Sequence, residues 1–430
     1  MIIFYSFLYS LALALVVLVS LPYWLFQMLR HGKYRRGLAE RLGSVSSRLR
    51  LPGQDEPVIW LHAVSVGEVL AIAGLVAELE RRLPRHSLFV STTTDTGQAL
   101  ARKRFGENRV FYFPMDFAFA IRPYLRALRP ELVIIAETEF WPNFMRLAPA
   151  SGARITVVNA RISDRSWPRY RRFRALIRKA LANVELFLAQ TEEDAARLRA
   201  IGACAERVRF SGNLKFDMTS PATLPIVDSL RSSMASSRSG PVLVCGSTVD
   251  GEEQLLIKAF ERVLAKYPRA VMILGPRHPE RFSVVAALLE QMPIRFYRRS
   301  EWQEQNLAGG ILLLDSIGDL AALYSLADIA FVGGSLVPGG GHNIIEPAHY
   351  GVAIVVGRHT ENFRDIVNLF QNRDAIRTVD STDLSTMFLL LLANDEERKA
   401  LGRRAAETLR SQMGATARTA EAIQELLAQK

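Results

Sequence analysis

Cysteine is almost missing from this chain: Cys204 and Cys245 are the only two, far apart in sequence. That excludes a disulfide framework and agrees with a reducing compartment. Charge is missing from the whole stretch Met1 to Leu29. No close internal repeat and no long low-complexity tract occur. Three common signatures are also absent. There is no G-x-G-x-x-G after an early strand with an acidic residue about 20 positions on, and no G-x-x-x-x-G-K-[ST] phosphate loop. There is no D-x-D pair either, the usual metal–diphosphate clamp of glycosyl transfer. Zinc-ligand spacing, an RNA-recognition aromatic motif and a recognition-helix signature are all lacking, so the net charge of +11 is not the footprint of a nucleic-acid partner. His62, His278, His342 and His349 form no convincing metal set and read as hydrogen-bonded structural histidines. Neither a metal nor a cofactor is expected.

What is present begins with that uncharged segment, which exceeds the roughly 20 apolar residues needed to cross a bilayer. A secretory signal would open on basic residues and end in a small-x-small cleavage site. Here the start is Met-Ile-Ile-Phe-Tyr, and the basic residues follow: Arg30, Lys33, Arg35, Arg36, Arg41, Arg48 and Arg50, opposed only by Glu40. Under the positive-inside rule this places the large C-terminal part in the cytoplasm. Tyr23 and Trp24 suit the interfacial belt, and Pro22 kinks or ends the deeper helix. The expectation is an uncleaved single-pass anchor over residues 1–29 in the inner (plasma) membrane. The basic excess then faces anionic lipid, each nearby Lys or Arg contributing about 1 kcal/mol of attraction.

After the anchor, strand-like runs alternate with helical ones at the pitch of βα units. Strands are expected at Val58–Ala63, Leu88–Thr93, Val110–Phe113, Leu132–Ala136, Ile155–Asn159, Leu186–Ala189 and Val208–Ser211. A Ser/Pro/Gly-rich stretch over 219–240 reads as a linker. The alternation restarts at Val242–Cys245, Val271–Leu274, Ile294–Tyr297, Ile311–Leu314, Ile329–Val332 and Ile354–Val356. Several runs are apolar throughout, as strands covered on both faces of a parallel sheet are. The fold expected is α/β: two Rossmann-like doubly wound domains, 30–218 and 241–430, facing one another across a cleft. A final helix pattern from Glu396 to Gln429 is long enough to cap the second domain or cross back to the first; the 241–430 boundary keeps it with the second.

The chemistry-bearing residues fall at strand ends. Glu68 closes Ile59-Trp60-Leu61-His62-Ala63-Val64-Ser65-Val66-Gly67-Glu68, where a strand pattern gives way to a helix pattern. Open α/β sheets bind ligands at such turns. Ser65 and Glu68 also stand in S-x-x-E spacing, a capping box that needs no catalysis. Gly67, poor for a first helical turn and good for close approach of a ligand, tilts toward function. Ala136-Glu137-Thr138-Glu139-Phe140-Trp141-Pro142-Asn143 puts two carboxylates at another strand end, either of which could instead cap the helix that Pro142 opens. In the second half, Gly275-Pro276-Arg277-His278, Ser316-Ile317-Gly318-Asp319 and Gly333 to Asn343 each follow a strand, and Ile344-Ile345-Glu346-Pro347 opens the next helix. Glycine lets amide N–H groups approach phosphate oxygens. Arg277 is fit to fork onto a carboxylate or phosphate, and Glu346 to accept from ribose hydroxyls. A run of arginines, among them Arg161, Arg165, Arg169, Arg171, Arg172 and Arg174, is interleaved with Trp167, Tyr170 and Phe173. It reads as a solvated basic face or, on an anchored protein, as a surface for lipid headgroups.

These strings resemble a known family. His62-Ala63-Val64-Ser65-Val66-Gly67-Glu68, Glu137-Thr138-Glu139-Phe140-Trp141-Pro142-Asn143 and Gly212-Asn213-Leu214-Lys215-Phe216-Asp217 are similar to the N-terminal half of the bacterial 3-deoxy-D-manno-octulosonic acid (Kdo) transferases. Gly275 to Phe282 and Gly340-Gly341-His342-Asn343-Ile344-Ile345-Glu346-Pro347 resemble the second half, in the family's order. Ile344-Ile345 stands where some relatives carry Pro-Leu. The resemblance implies a GT-B glycosyltransferase moving Kdo from CMP-Kdo to a lipid A precursor (lipid IVA), inverting and without metal. Glu68 would be the general base, kept ionised by its helix N-terminus. Glu137 would support it. Donor contacts would carry over to Pro276, Arg277, Ile317, Gly318, Asp319, Asn343, Ile344, Ile345 and Glu346, and Arg169, Arg171, Arg172 and Arg174 would meet acceptor or membrane. The rivals are a GT-B enzyme of another nucleotide sugar (an epimerase or an undecaprenyl-linked transferase) and a non-enzymatic, membrane-tethered nucleotide-binding module.

Overall fold

A computed structural model describes residues 2–31, 37–49, 56–164, 166–218 and 224–429. Lys33, Arg35, Arg36, Arg50, Arg165 and positions 219–223 of the expected linker lie outside the described residues. The chain forms two compact units, Met1–Met218 with Gln412–Lys430, and Thr219–Ser411.

The first unit is built on a seven-stranded sheet of β1 (Val58–His62), β2 (Ser87–Thr92), β3 (Val110–Tyr112), β4 (Pro130–Ala136), β5 (Arg154–Ala160), β6 (Leu186–Ala189) and β7 (Val208–Phe210). Their order is β3-β2-β1-β4-β5-β6-β7, and every pairing is parallel. The all-apolar runs have a direct cause. Successive residues of a strand point to opposite faces, and here both faces are covered. Val58, Trp60, Val133 and Ile135 enter one core, while Ile59, Leu61, Leu132 and Ile134 enter the other. The chain runs from β1 to β2 and β3, then returns to β4 on the other side of β1. The β1/β4 boundary is therefore the switch point of this sheet, where ligands of doubly wound folds bind.

The second unit repeats the plan with β8 (Val242–Thr248), β9 (Val271–Pro276), β10 (Phe296–Arg298), β11 (Ile311–Leu313), β12 (Ile329–Val332), β13 (Ala353–Val356) and β14 (Arg377–Thr378). The order is β10-β11-β9-β8-β12-β13-β14, all parallel, with its switch point between β8 and β12. Again the strands alternate between two cores: Leu243, Cys245, Met272 and Leu274 in one, Val242, Val244, Val271 and Ile273 in the other.

Three expectations change. Most of the 219–240 stretch is not a linker, because Pro225–Ser236 is a helix whose Ile226, Val227, Leu230 and Met234 are buried in the second unit. Its serines lie between helically spaced apolar positions, which composition alone conceals. The long C-terminal helix is two helices, Asp395–Gln412 and Ala415–Ala428, broken where Gly414 takes φ 94. The latter belongs to the first unit, against the 241–430 boundary. Its Ala415, Ala420, Ala422, Ile423 and Leu426 join the core beneath the Val66–Arg82 helix, and the Asp217 carboxylate caps it by accepting from the Gly414 (2.7 Å) and Thr416 (2.5 Å) amides. β14 had no apolar run to announce it.

The helix Ile2–His31 leans on the first unit. Asn143 donates to Ser10 Oγ at 3.0 Å and to the Asp116 carbonyl at 2.6 Å, while Asp116, 3% exposed, accepts from the Asn143 and Phe144 amides. Leu11, Leu15, Val16, Leu18 and Val19 face outward. Among the described residues no helix is long and apolar enough to cross a membrane, so the crossing expected over 1–29 finds no support there.

Candidate functional site

The first unit brings Glu68, Glu137 and Glu139 to its switch point. β1 ends at His62, Ser65 is extended at φ −123, and Glu68 falls in the first turn of the Val66–Arg82 helix. The Glu68 carboxylate accepts from the Val64 amide (Oε2, 2.8 Å) and from the Ser65 hydroxyl (Oε1, 3.0 Å). Ser65 itself caps no helix amide. Neither bond of a capping box is therefore formed: the serine caps no amide, and the carboxylate accepts from Val64, one residue before the N-cap, instead of from the Ser65 amide. Val64 is held in place from the next loop: its carbonyl accepts from the Thr93 and Thr94 amides. Gly97 makes that approach possible, since a Cβ there would stand 2.7 Å from Thr94 Oγ1 and 3.3 Å from the Val64 oxygen. A Cβ at Gly67 would meet only Ser65 Oγ, at 3.9 Å, so Gly67 itself is not required by packing.

The protonation of Glu68 differs from expectation. Burial, then the negative charge of Glu137, pushes its pKa up to about 7, against the pull of the Val64 and Ser65 hydrogen bonds. Desolvation thus outweighs the helix N-terminus, and the group is poised near neutrality instead of being fully ionised. Glu137, at φ 56 just beyond β4, lies 3.2 Å from Lys215 Nζ. Lys215 belongs to the Gly212–Asp217 motif, and its pairing with Glu137 was not read from the sequence, because the two are joined only by the β4 and β7 strand ends. Burial and Glu137 also raise the pKa of Glu139. His62 is structural: its Nδ1 sits 3.0 Å from Ser91 Oγ, its ring stacks on Phe113, and burial lowers its pKa to about 3.

Beside this site, Trp167 and Tyr170 pack into the core with Phe140, and the Tyr170 hydroxyl reaches the Thr138 carbonyl at 3.4 Å. Arg169, Arg171, Arg172 and Arg174 are exposed, as are Phe173 (53%) and Leu176 (50%). The segment thus turns Trp167 and Tyr170 inward and its arginines, together with Phe173 and Leu176, outward.

In the second unit the loops after β9 and β12 come together. Arg277 is exposed and its amide donates to the Thr248 carbonyl at 2.8 Å. Its charge lowers the pKa of Glu346, which burial raises, while burial, Arg277 and His278 hold His342 down at about 4. Asn343 ties the turn by accepting from the Ile345 amide (3.1 Å) and donating to Glu346 (3.3 Å). Ile344 and Ile345 are buried, so only their backbones could meet a ligand. Pro276 is buried at the end of β9. After β11, Ile317 is 81% exposed, Gly318 has φ 104, and Asp319 accepts from Ser316 at 2.7 Å and pairs with Arg299 at 3.3 Å. Glu252 and Glu253, at the start of the helix after β8, were not singled out in the sequence. Two adjacent acids in a first helical turn look like ordinary helix-dipole partners.

Among the described residues no group of three or more His, Cys, Asp or Glu could hold a metal ion. Residues 36–218 match the family model described as 3-deoxy-D-manno-octulosonic-acid transferase (kdotransferase), and residues 253–408 match glycosyl transferases group 1. The chain is 36% identical to a 3-deoxy-D-manno-octulosonic acid transferase of Haemophilus influenzae, over 92% of each chain. It is 34% identical to the Bordetella pertussis transferase of the same name, over 97% of this chain and 99% of that one. Its fold is similar to that of the UDP-GlcNAc 2-epimerase of Neisseria meningitidis, with a TM-score of 0.58 and 14% identity over 87% of this chain and 100% of that one. With both sheets, both sets of strand-end loops and full-length relatives in agreement, the chain belongs to the Kdo transferases, GT-B glycosyltransferases of lipopolysaccharide synthesis.

Proposed function

We propose that this chain transfers Kdo from CMP-Kdo to the lipid A precursor lipid IVA with inversion, Glu68 acting as the base. The acceptor hydroxyl oxygen attacks the anomeric carbon of Kdo, its proton passes to a Glu68 carboxylate oxygen, and the bond to the phosphate oxygen breaks with its electron pair leaving on CMP. The observation that carries this reading is Glu68 itself: 9% exposed at the switch point of its sheet, with a pKa of about 7. A base is most effective with its pKa near the working pH. Glu137, held by Lys215, supports it electrostatically. The donor belongs to the second unit, where Arg277 offers a fork for the phosphate or the Kdo carboxylate. Asn343 and Glu346 offer polar atoms to the nucleotide, Ile344 and Ile345 their backbones, and Pro276 with Ile317-Gly318-Asp319 the remaining wall. A monophosphate leaving group carries less charge than a diphosphate and needs no cation.

The protein works at the inner membrane with its catalytic part on the cytoplasmic side. The uncharged segment Met1–Leu29, its outward apolar side chains and the basic residues that follow support this. The exposed Arg169, Arg171, Arg172 and Arg174 face the lipid phosphates of the acceptor or the bilayer.

The test is the purified full chain with CMP-Kdo and a tetraacylated lipid A precursor, products resolved by mass. Kdo addition in the presence of EDTA is expected. Addition only from another nucleotide sugar would overturn the donor, and loss in EDTA restored by Mg²⁺ would overturn the metal-free route.

A further inference from the structure

The helix Glu252–Lys266 follows β8, and β9 and β12 flank β8 on either side. Between β8 and β12 lies the switch point of the sheet, where doubly wound folds bind anionic ligands. The backbone there has the form of an anion nest, successive amides turned to one point: Gly334 takes φ 69, and the N–H groups of Gly334, Ser335 and Leu336 converge. That point is filled by the chain's own carboxylate. Glu252 Oε2 accepts from Gly334 (2.7 Å) and Val249 (3.0 Å), and Oε1 accepts from Ser335 and Leu336 (2.8 Å each). Glu252 is 0% exposed. The same contact explains Gly333, where a Cβ would stand 2.7 Å from Glu252 Oε2 and 2.6 Å from the Ser247 oxygen.

Glu253 works toward the other side of β8. Arg281, from the loop after β9, reaches Glu253 at 3.1 Å and Asp250 at 2.8 Å. Two adjacent acids thus fasten the two loops that flank β8, and those loops carry Arg277 on one side and Asn343 and Glu346 on the other.

We infer that Glu252 is a positioning residue for the donor: it closes the switch-point nest to the donor's own phosphate and holds the loop from Gly333 at the spacing that lets Arg277, Asn343 and Glu346 act on one ligand. This rests on the donor reading above. Glu252→Gln keeps the shape but turns amide hydrogens toward amide donors, releasing the loop. In the full chain, the CMP dissociation constant measured by calorimetry and the KM for CMP-Kdo should rise about 10- to 100-fold, the scale of an ångström-sized misplacement. The KM for lipid acceptor, and kcat at saturating donor, should stay as they are. A merely structural role would instead lower the active fraction and leave the donor KM alone. Arg281→Met releases the other loop from a position less buried than that of Glu252 and should raise the donor KM by a smaller factor, an independent reading should Glu252→Gln fail to fold. Parental CMP affinity in Glu252→Gln overturns the inference, as does an unfolded Glu252→Gln alongside an unchanged donor KM in Arg281→Met. An unaltered chain that binds no CMP overturns the donor reading itself, and this inference with it.

Discussion

Glu68 and Glu252 occupy the same topological place, the first helical turn after the strand at each sheet's switch point, yet their surroundings make them different groups. Glu252 has four amide donors on it, whereas Glu68 has one amide and one hydroxyl, leaving lone pairs for an acceptor proton. Glu68→Gln keeps an acceptor for the Val64 amide, so the variant should fold and bind CMP. Steady-state turnover should fall by about 10²–10⁴-fold, the share of general-base catalysis; near-parental turnover would return Glu68 to a cap. The raised pKa also fixes a pH profile. Glu68 must be ionised to accept the proton, so kcat/KM should be lost as pH falls through about 7. Glu137→Gln removes a like charge that raises that pKa, so the acid limb should move to lower pH, as stopped assays across the range would read. An unmoved limb would mean that another group titrates.

The Trp167–Arg172 and Arg174–Leu181 helices illustrate how an element divides its faces. Trp167 and Tyr170 pack inward with Phe140, and Tyr170 reaches the Thr138 carbonyl between Glu137 and Glu139, while the arginines and Phe173 are exposed. Replacing Arg169, Arg171, Arg172 and Arg174 together with Ser should raise the KM for lipid acceptor presented in anionic vesicles and leave the KM for CMP-Kdo unchanged. Exposed charges are screened within about 8 Å at physiological salt, so the difference should shrink as salt rises. A changed donor KM, or no change with vesicles, would make this an ordinary solvated face.

At the scale of the molecule, the C-terminal helix Ala415–Ala428 completes the unit that holds Glu68, packing on the very helix that carries it. Ile423 is fully buried there, so Ile423→Ala should cost about 2–5 kcal/mol, read by chemical denaturation. The loss should appear in hydrogen exchange of the Val66–Arg82 helix and not in the strands of the second unit. The reverse pattern would mean that the helix serves the second unit.

All thirteen expected strands are present, their ends displaced by at most three residues, because a strand buried on both faces must be apolar at every position and so announces itself. The placing of Glu68, Glu137 and the loops of Arg277 and Glu346 beyond strand ends was legible for the same reason, since a strand's end locates whatever follows it. What the sequence could not carry depends on neighbours distant along the chain. The Ala415–Ala428 helix has no local feature naming the unit whose core it fills, and the 225–236 helix hides its buried stripe among serines. The pKa of Glu68 is set by burial and by Glu137, neither of them visible in S-x-x-E spacing. Glu252 looks like any first-turn acid until the sheet order sets it against the amides of a loop some eighty residues on. Pattern and motif determined which residues stand at the strand ends; only packing decided which carboxylate is saturated and which is left free to take a proton, because desolvation and partner geometry are properties of the assembled core.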